Sequence, residues 1–230
     1  GLAIVLTEGN TACIAEVNCE TDFVSKGEKF HKLVNDVIET TIKSKASSIE
    51  AAREACQGLF ADATVSMGEK IDYRRFQIIE KTEGQGFGSY IQMGGKIAVL
   101  VLLDKNDPEL AKGIAMHVAA NNPIYISQAD VPAEAIEHEK AIQVGLMKQD
   151  EKLAGKPAEM LAQIAVRKVE KVLAESTLLN QEYVLDGEKT VAQVLKEKSA
   201  NVIKFVRYAV GEGIEKRVDN FAEEVMGQIK

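Results

Sequence analysis

Missing from this sequence is any apolar run near the roughly 20 residues that a membrane-spanning helix needs. Leu2–Leu6 is apolar, but it is short and has no basic leader, so it does not read as a secretory signal. Positive charge is not in excess either: 28 Lys and Arg stand against 35 Asp and Glu, a net charge of −7. No global field attracts phosphate backbones, which speaks against direct nucleic-acid binding. Cysteine is scarce, three residues in all with no CxxC spacing. Cys13 and Cys19 fall in a strand-like segment and Cys56 in a helical one, so buried, reduced thiols in a cytoplasmic protein are expected. His31, His117 and His138 are dispersed, with no HExxH or Cys/His cluster, so no metal site is expected.

Nucleotide loops are also lacking. Gly187–Glu188–Lys189–Thr190 imitates the end of a phosphate-binding loop, but the earlier glycine of that pattern is absent. Gly84, Gly86 and Gly88 alternate as in a dinucleotide loop, yet a strand follows them instead of a helix; they read as a linker. No Ser/His/Asp or Cys/His arrangement stands out from spacing. A binding protein is favoured over an enzyme, with no cofactor and no nucleotide of its own.

What is present is ample core material: 46% of residues are hydrophobic and 27% charged, an ordinary balance for a globular protein of this size. It is laid out twice. In the first copy Leu2–Leu6 and Thr11–Cys19 flank Glu8–Gly9–Asn10, a hairpin signal. Phe30, Leu33, Val34, Val37, Ile38, Thr41 and Ile42 recur at helical spacing, a second helical segment lies near Ile49–Ala63, and Ile71–Glu80 reads as a closing strand. In the second copy Ser89–Met93 and Lys96–Leu103 flank Gly94–Gly95. Asp107 and Pro108 then open a helix with the stripe Leu110, Ile114 and Val118, beside which His117 reads as a satisfied core histidine. Thr190–Lys198 gives a short helix and Asn201–Val210 the last strand. The order predicts an α+β fold: two related subdomains, each a three-stranded antiparallel sheet covered by helices. The expected units are 1–83, 84–210 and 211–230.

An insertion at about 132–175 interrupts the second copy. Ala135, Ile142, Leu146 and Leu153 form one narrow stripe and Leu161, Ala165, Val169 and Val172 another, separated by Gly155–Lys156–Pro157. This predicts an antiparallel coiled-coil hairpin projecting as an arm. After Gly211–Glu212–Gly213, the residues Phe221, Val225, Met226 and Ile229 line one face of a terminal helix capped by Asp219. Docking on its own domain and docking on a partner are both open for that helix.

The connector after the first hairpin is the most informative stretch. Cys13, Ala15, Val17 and Cys19 alternate with Ile14, Glu16 and Asn18 as in a strand with one apolar face. Phe23 then follows an acid where the chain should turn. Local physics favours a hydrophobic staple, with Phe23 folded onto the first helical turn and Ser25 or Thr21 as cap. The alternative is an exposed functional ring, since connectors carry function more often than packing.

The run Glu16–Lys26, with its Thr21–Asp22–Phe23–Val24 core, resembles the signature of elongation factor Ts, the nucleotide-exchange factor of the GTPase elongation factor Tu. The likeness extends through Met67–Gly68–Glu69, Ile71–Arg75, Gly88–Tyr90, Ile114–Ala120, Leu178–Val184 and Val210–Lys216. It implies the same two-subdomain core with a coiled-coil insertion. It implies elongation factor Tu as partner and no chemistry on this chain. Thr21, Asp22, Phe23 and Val24 would disturb the GTPase's Mg²⁺ and phosphate site, with Phe23 as a wedge. Met67, Gly68, Gln92, Phe221 and Val225 would supply further contacts. Family members begin with a small ubiquitin-associated-like helical domain that has no counterpart here, so a truncated chain is expected. Many carry a histidine where this sequence has Gln92, so that histidine's contact is not carried over. A protein-binding scaffold with a projecting arm, and Phe23 as a mere staple, is the rival expectation.

Overall fold

The computed structural model describes residues 1–153 and 155–215, so Phe221, Val225 and the expected terminal helix lie outside the described residues. Strands β1 (Leu2–Glu8) and β2 (Thr11–Asn18) form a hairpin whose Gly9 adopts φ +58°, a left-handed conformation that favours glycine. A four-residue helical turn, α1 (Asp22–Ser25), leads into α2 (Glu28–Ser44). Helices α3 (Ile49–Ala55) and α4 (Gln57–Met67) precede β3 (Asp72–Glu80). The single helical segment expected there is thus two helices, broken at the buried Cys56. The stripe read along α2 is its buried face in full, from Phe30 to Ile42. Phe30 and Ile38 are essentially inaccessible, and burying each stabilises the fold by about 2 kcal/mol.

The second half repeats the plan. It runs β4 (Gly86–Gln92), β5 (Ile97–Leu103), α5 (Pro108–Asn121), α6 (Ala133–Gln149) and α7 (Ala158–Glu175). A small ribbon of β6 (Glu182–Tyr183) and β7 (Asp186–Thr190), helix α8 (Val191–Glu197) and strand β8 (Val202–Ala209) complete it. The strand orders β1-β2-β3 and β4-β5-β8 match, each with the second hairpin strand at the centre and all pairings antiparallel. The fold is α+β, with two related three-stranded sheets covered by helices. Among the described residues no helix is long and apolar enough to cross a membrane.

The two sheets pack against each other. Ala3, Ala12, Ile14 and Ile79 from the first meet Ala98, Leu100, Leu102, Val206 and Tyr208 from the second. This corrects the one-sided reading of β2, which is buried on both faces from Ala12 to Val17. Its helix side holds Cys13, Ala15 and Val17, while Ile14 faces the other sheet. Gly86 and Gly88 are likewise part of strand β4, not linker. A Cβ on Gly88 would lie 2.3 Å from the Ala111 carbonyl carbon, so only glycine lets α5 lie this close to the strand. In the arm, Ala165 and Val169 turn inward on α7 as read, but α6 buries Met147 and leaves Ile142 and Leu146 exposed. Glu139, Lys140 and Gln143 leave α6 without one dominant apolar face. Methionine, the more adaptable filler, takes the inward position.

A buried carboxylate locks the sheets together. Glu16 on β2 accepts hydrogen bonds from Arg74 Nη1 (3.0 Å), Arg75 Nε (2.6 Å) and the Gly211 amide (2.9 Å). Burial alone would raise its pKa; the Gly211 amide and both guanidiniums outweigh that and hold it below the usual carboxylate range. Arg75 also donates to the Ala209 carbonyl and stacks over Tyr208 at 4.2 Å, both on the second sheet. Arg74 reaches the Glu212 carbonyl. The β2 end that leads to the connector is therefore fixed to both sheets.

Candidate functional site

Beyond Asn18 the chain leaves the sheet and must satisfy its own backbone groups. Four helical residues cannot hold themselves in water, because a single turn fixes several dihedrals for little hydrogen bonding. Thr21 supplies the N-cap of α1, its Oγ1 accepting from the Val24 amide at 3.4 Å. The Ser25 hydroxyl donates to the Asp22 carbonyl at 3.1 Å, and the Gly27 amide closes onto the Val24 carbonyl at 3.0 Å.

Two long-range contacts brace this turn. Glu69 follows Gly68, the left-handed C-cap of α4. Its Oε2 accepts from the amides of Glu20 and Thr21, each at 3.0 Å, and its Oε1 accepts from Thr21 Oγ1 at 2.5 Å. The Thr21 hydroxyl is the first cause that holds the Glu69 carboxyl below its ordinary value. From the other half, Lys96 donates to Asp22 Oδ1 at 2.8 Å, and this lysine is the chief reason the Asp22 carboxyl is lowered. The hairpin turn carrying Lys96 is itself tied to β1, the Ala3 amide donating to the Gly95 carbonyl at 2.8 Å.

Phe23 projects from the braced turn with 91% of its surface exposed. The staple expectation is overturned here, because a staple ring would be packed on α2. Val24 turns inward instead and joins the first core at its edge. Met93, at the tip of the β4–β5 hairpin, is 74% exposed and adopts φ +54°.

Three segments remote in sequence thus meet at one corner: Glu20–Val24, Gly68–Glu69 and the hairpin that carries Lys96. Met67 packs half-buried on the first core while Gly68 is exposed. Gln92 is half-buried with its amide oxygen turned inward and, among the described residues, unpartnered, and its neighbour Met93 is the exposed side chain. Sequence reading missed Glu69 and Lys96 as braces, because they act across 48 and 74 residues and no periodicity announces such a contact. The acid placed directly after a helix-ending glycine was the one available sign.

Fold and site together describe an α+β protein that presents an exposed aromatic ring from a braced corner between two related halves. The family model described as Elongation factor TS matches residues 20–212. Elongation factor Ts of Lacticaseibacillus casei is 44% identical over 238 aligned residues, which take in 100% of this chain and 80% of that protein. Elongation factor Ts of Pediococcus pentosaceus is 44% identical, with 99% of this chain and 80% of the relative covered. Elongation factor Ts of Acholeplasma laidlawii is 42% identical, with 100% and 80% covered. The chain belongs to the elongation factor Ts family.

Proposed function

We propose that this protein is the guanine nucleotide exchange factor of elongation factor Tu, acting in the cytoplasm and catalysing no chemistry of its own. Family membership supports the partner and the activity. The observation that carries the mechanism is Phe23, an aromatic ring left almost wholly exposed on a turn braced from two sides. Leaving such a ring in water forgoes about 2 kcal/mol of burial, a loss that makes sense where a partner supplies the missing surface.

In this reading Phe23 enters an apolar gap beside the GTPase's switch region and displaces elements that support its Mg²⁺ site. The ion and then the β-phosphate of GDP lose ligands. Thr21, Asp22 and Val24 set the ring's approach, and Met67, Gly68 and Gln92 add secondary contacts. The units 1–83 and 84–210, with the inserted arm at 132–175, grip the partner from two directions, and Phe221 and Val225 in 211–230 add a third hold. Exchange requires only that this protein bind the nucleotide-free GTPase better than its GDP form.

Release of fluorescent GDP from purified elongation factor Tu tests the reading. The chain should accelerate release, and Phe23→Ala should lower that acceleration roughly 30-fold, the equivalent of ~2 kcal/mol for a buried aromatic anchor, with an unchanged melting temperature. A variant that melts lower yet exchanges normally would make Phe23 a structural residue.

A second reading rests on the arm, where Ile142, Leu146, Met160 and Val166 are exposed. It makes the protein a scaffold that recruits another protein through α6 and α7. Unaltered GDP release in the presence of the chain would favour it.

A further inference from the structure

We infer that Glu69 is a positioning residue for exchange: its carboxylate holds the Thr21–Ser25 turn so that Phe23 stays projected, with the Lys96–Asp22 ion pair as the second brace. The inference rests on the wedge reading of Phe23 and names what makes that wedge effective.

An apolar ring on a loose connector does not stay in water. It collapses onto the nearest apolar surface, here the α2 side of the first core, where Val24 already packs. Phe23 stays exposed only because the backbone on either side of it is fixed. Most of that fixing runs through one carboxylate. Glu69 Oε2 takes the Glu20 and Thr21 amides, two donors that α1 itself cannot satisfy. Glu69 Oε1 takes the Thr21 hydroxyl proton and so fixes the Thr21 rotamer, leaving an oxygen lone pair aimed at the Val24 amide. Remove the carboxylate, and the cap, the helical turn and the ring's direction lose their common support.

Glu69 suits this role by its own anchorage. It stands between the C-cap of α4 and the start of β3, two elements packed on the first core. The reverse bond, from the Lys70 amide to Glu20 Oε2 at 3.3 Å, closes the bracket from the other side. The Lys96–Asp22 pair is exposed and contributes little stability alone. Its geometric effect is to tie the turn to the second half of the molecule, so that the ring's direction is defined relative to both sheets. A pre-aimed ring avoids the ordering cost that a loose one would meet on binding.

The test is a double-mutant cycle with the 230-residue chain in the fluorescent GDP-release assay: wild type, Glu69→Ala, Phe23→Ala and the pair. Glu69→Ala should reduce exchange per folded molecule by about three- to tenfold, the range expected for lost preorganisation, with at most a small fall in melting temperature. In the Phe23→Ala background the same substitution should have less than about a twofold effect, since groups acting through one another are not additive. Glu69→Gln, which keeps one acceptor oxygen, should recover part of the loss. Amide exchange at Glu20, Thr21 and Val24 should quicken in Glu69→Ala while α2 stays protected. Should Glu69→Ala not fold, Thr21→Val removes the same hydroxyl link and carries the cycle. Wild-type exchange by Glu69→Ala, or an equal penalty with and without Phe23, overturns the inference. Wild-type exchange by Phe23→Ala instead overturns the wedge reading beneath it.

Discussion

The same junction is built twice in this molecule, and only one copy presents an exposed aromatic ring. In both halves the end of the central strand is tied to the residues just before the third strand. In the second half Asp104, directly after β5, accepts from the Asn201 amide at 2.7 Å and from Asn201 Nδ2 at 2.8 Å. In the first half the acid sits on the other partner: Glu69, shortly before β3, reaches back to Glu20 and Thr21. After β5 the chain passes straight into α5, with Asp107 as N-cap at 3.0 Å from the Leu110 amide and Pro108 at the first position. After β2 it inserts the α1 turn and exposes Phe23. The acid-to-backbone tie is therefore a structural feature of the fold. The extra turn that it braces in the first half is what the second half does without.

The lock between the halves gives the largest expected effect. Glu16→Gln leaves Arg74 and Arg75 without their carboxylate and should destabilise the protein by about 3 kcal/mol, a low value for a buried pair because both guanidiniums keep some solvent access. Urea denaturation would show it, and a change below about 1 kcal/mol would mean that the lock contributes little. Because its folded pKa is lowered, the contribution of Glu16 is complete above its unfolded pKa near ~4.3 and is lost as pH falls through the folded value.

The connector comparison sharpens with one substitution on each side. Asp107→Ala should lower stability by about 1 kcal/mol through its lost cap, while exchange per folded molecule stays normal. Phe23→Ala should do the opposite. If both variants lose exchange to the same degree, the two junctions are functionally alike and the contrast fails.

The smallest effect is a pH dependence confined to the second half. His117 on α5 is buried, and desolvation lowers its pKa despite the opposing hydrogen bond to Gln181 at 2.8 Å. A neutral buried histidine contributes full stability above its unfolded pKa of ~6.5 and progressively less as pH falls toward the folded value. The buried polar pair of the first half, Thr41 Oγ1 and Tyr73 Oη at 2.8 Å, does not titrate there, because burial pushes the tyrosine upward. Between pH 7 and about 5, amide protection factors in α5, corrected for the intrinsic pH dependence of exchange, should fall before those in α2, with at most ~1.4 kcal/mol lost per pH unit. An equal fall in both helices would remove His117 as the cause.

Local periodicity made much of this legible. The buried face of α2, the Asp107–Pro108 start of α5 and both hairpins follow from spacing and capping chemistry within a few residues. What escaped depends on tertiary context. Nothing local says that a second sheet covers Ile14 and Glu16, or that Met147 instead of Leu146 turns inward along α6. Phe23 shows the limit most clearly: by itself the connector favours a staple, and the ring's exposure depends on Glu69 and Lys96, side chains far off in sequence. The corner as a three-segment assembly was not legible at all, since hydrogen bonds between remote polar residues leave no repeating pattern.

An exchange factor and GDP are expected to weaken each other's hold on elongation factor Tu. Coupling between two ligands of one protein is reciprocal, so a chain that loosens GDP must itself be loosened by GDP, whatever the route. Calorimetric titration of elongation factor Tu with this chain, at increasing GDP and Mg²⁺, measures that coupling directly. Binding to the nucleotide-free GTPase should be tight, and the affinity should fall steadily as GDP is added. An affinity indifferent to GDP would contradict the exchange reading, even if the two proteins bind.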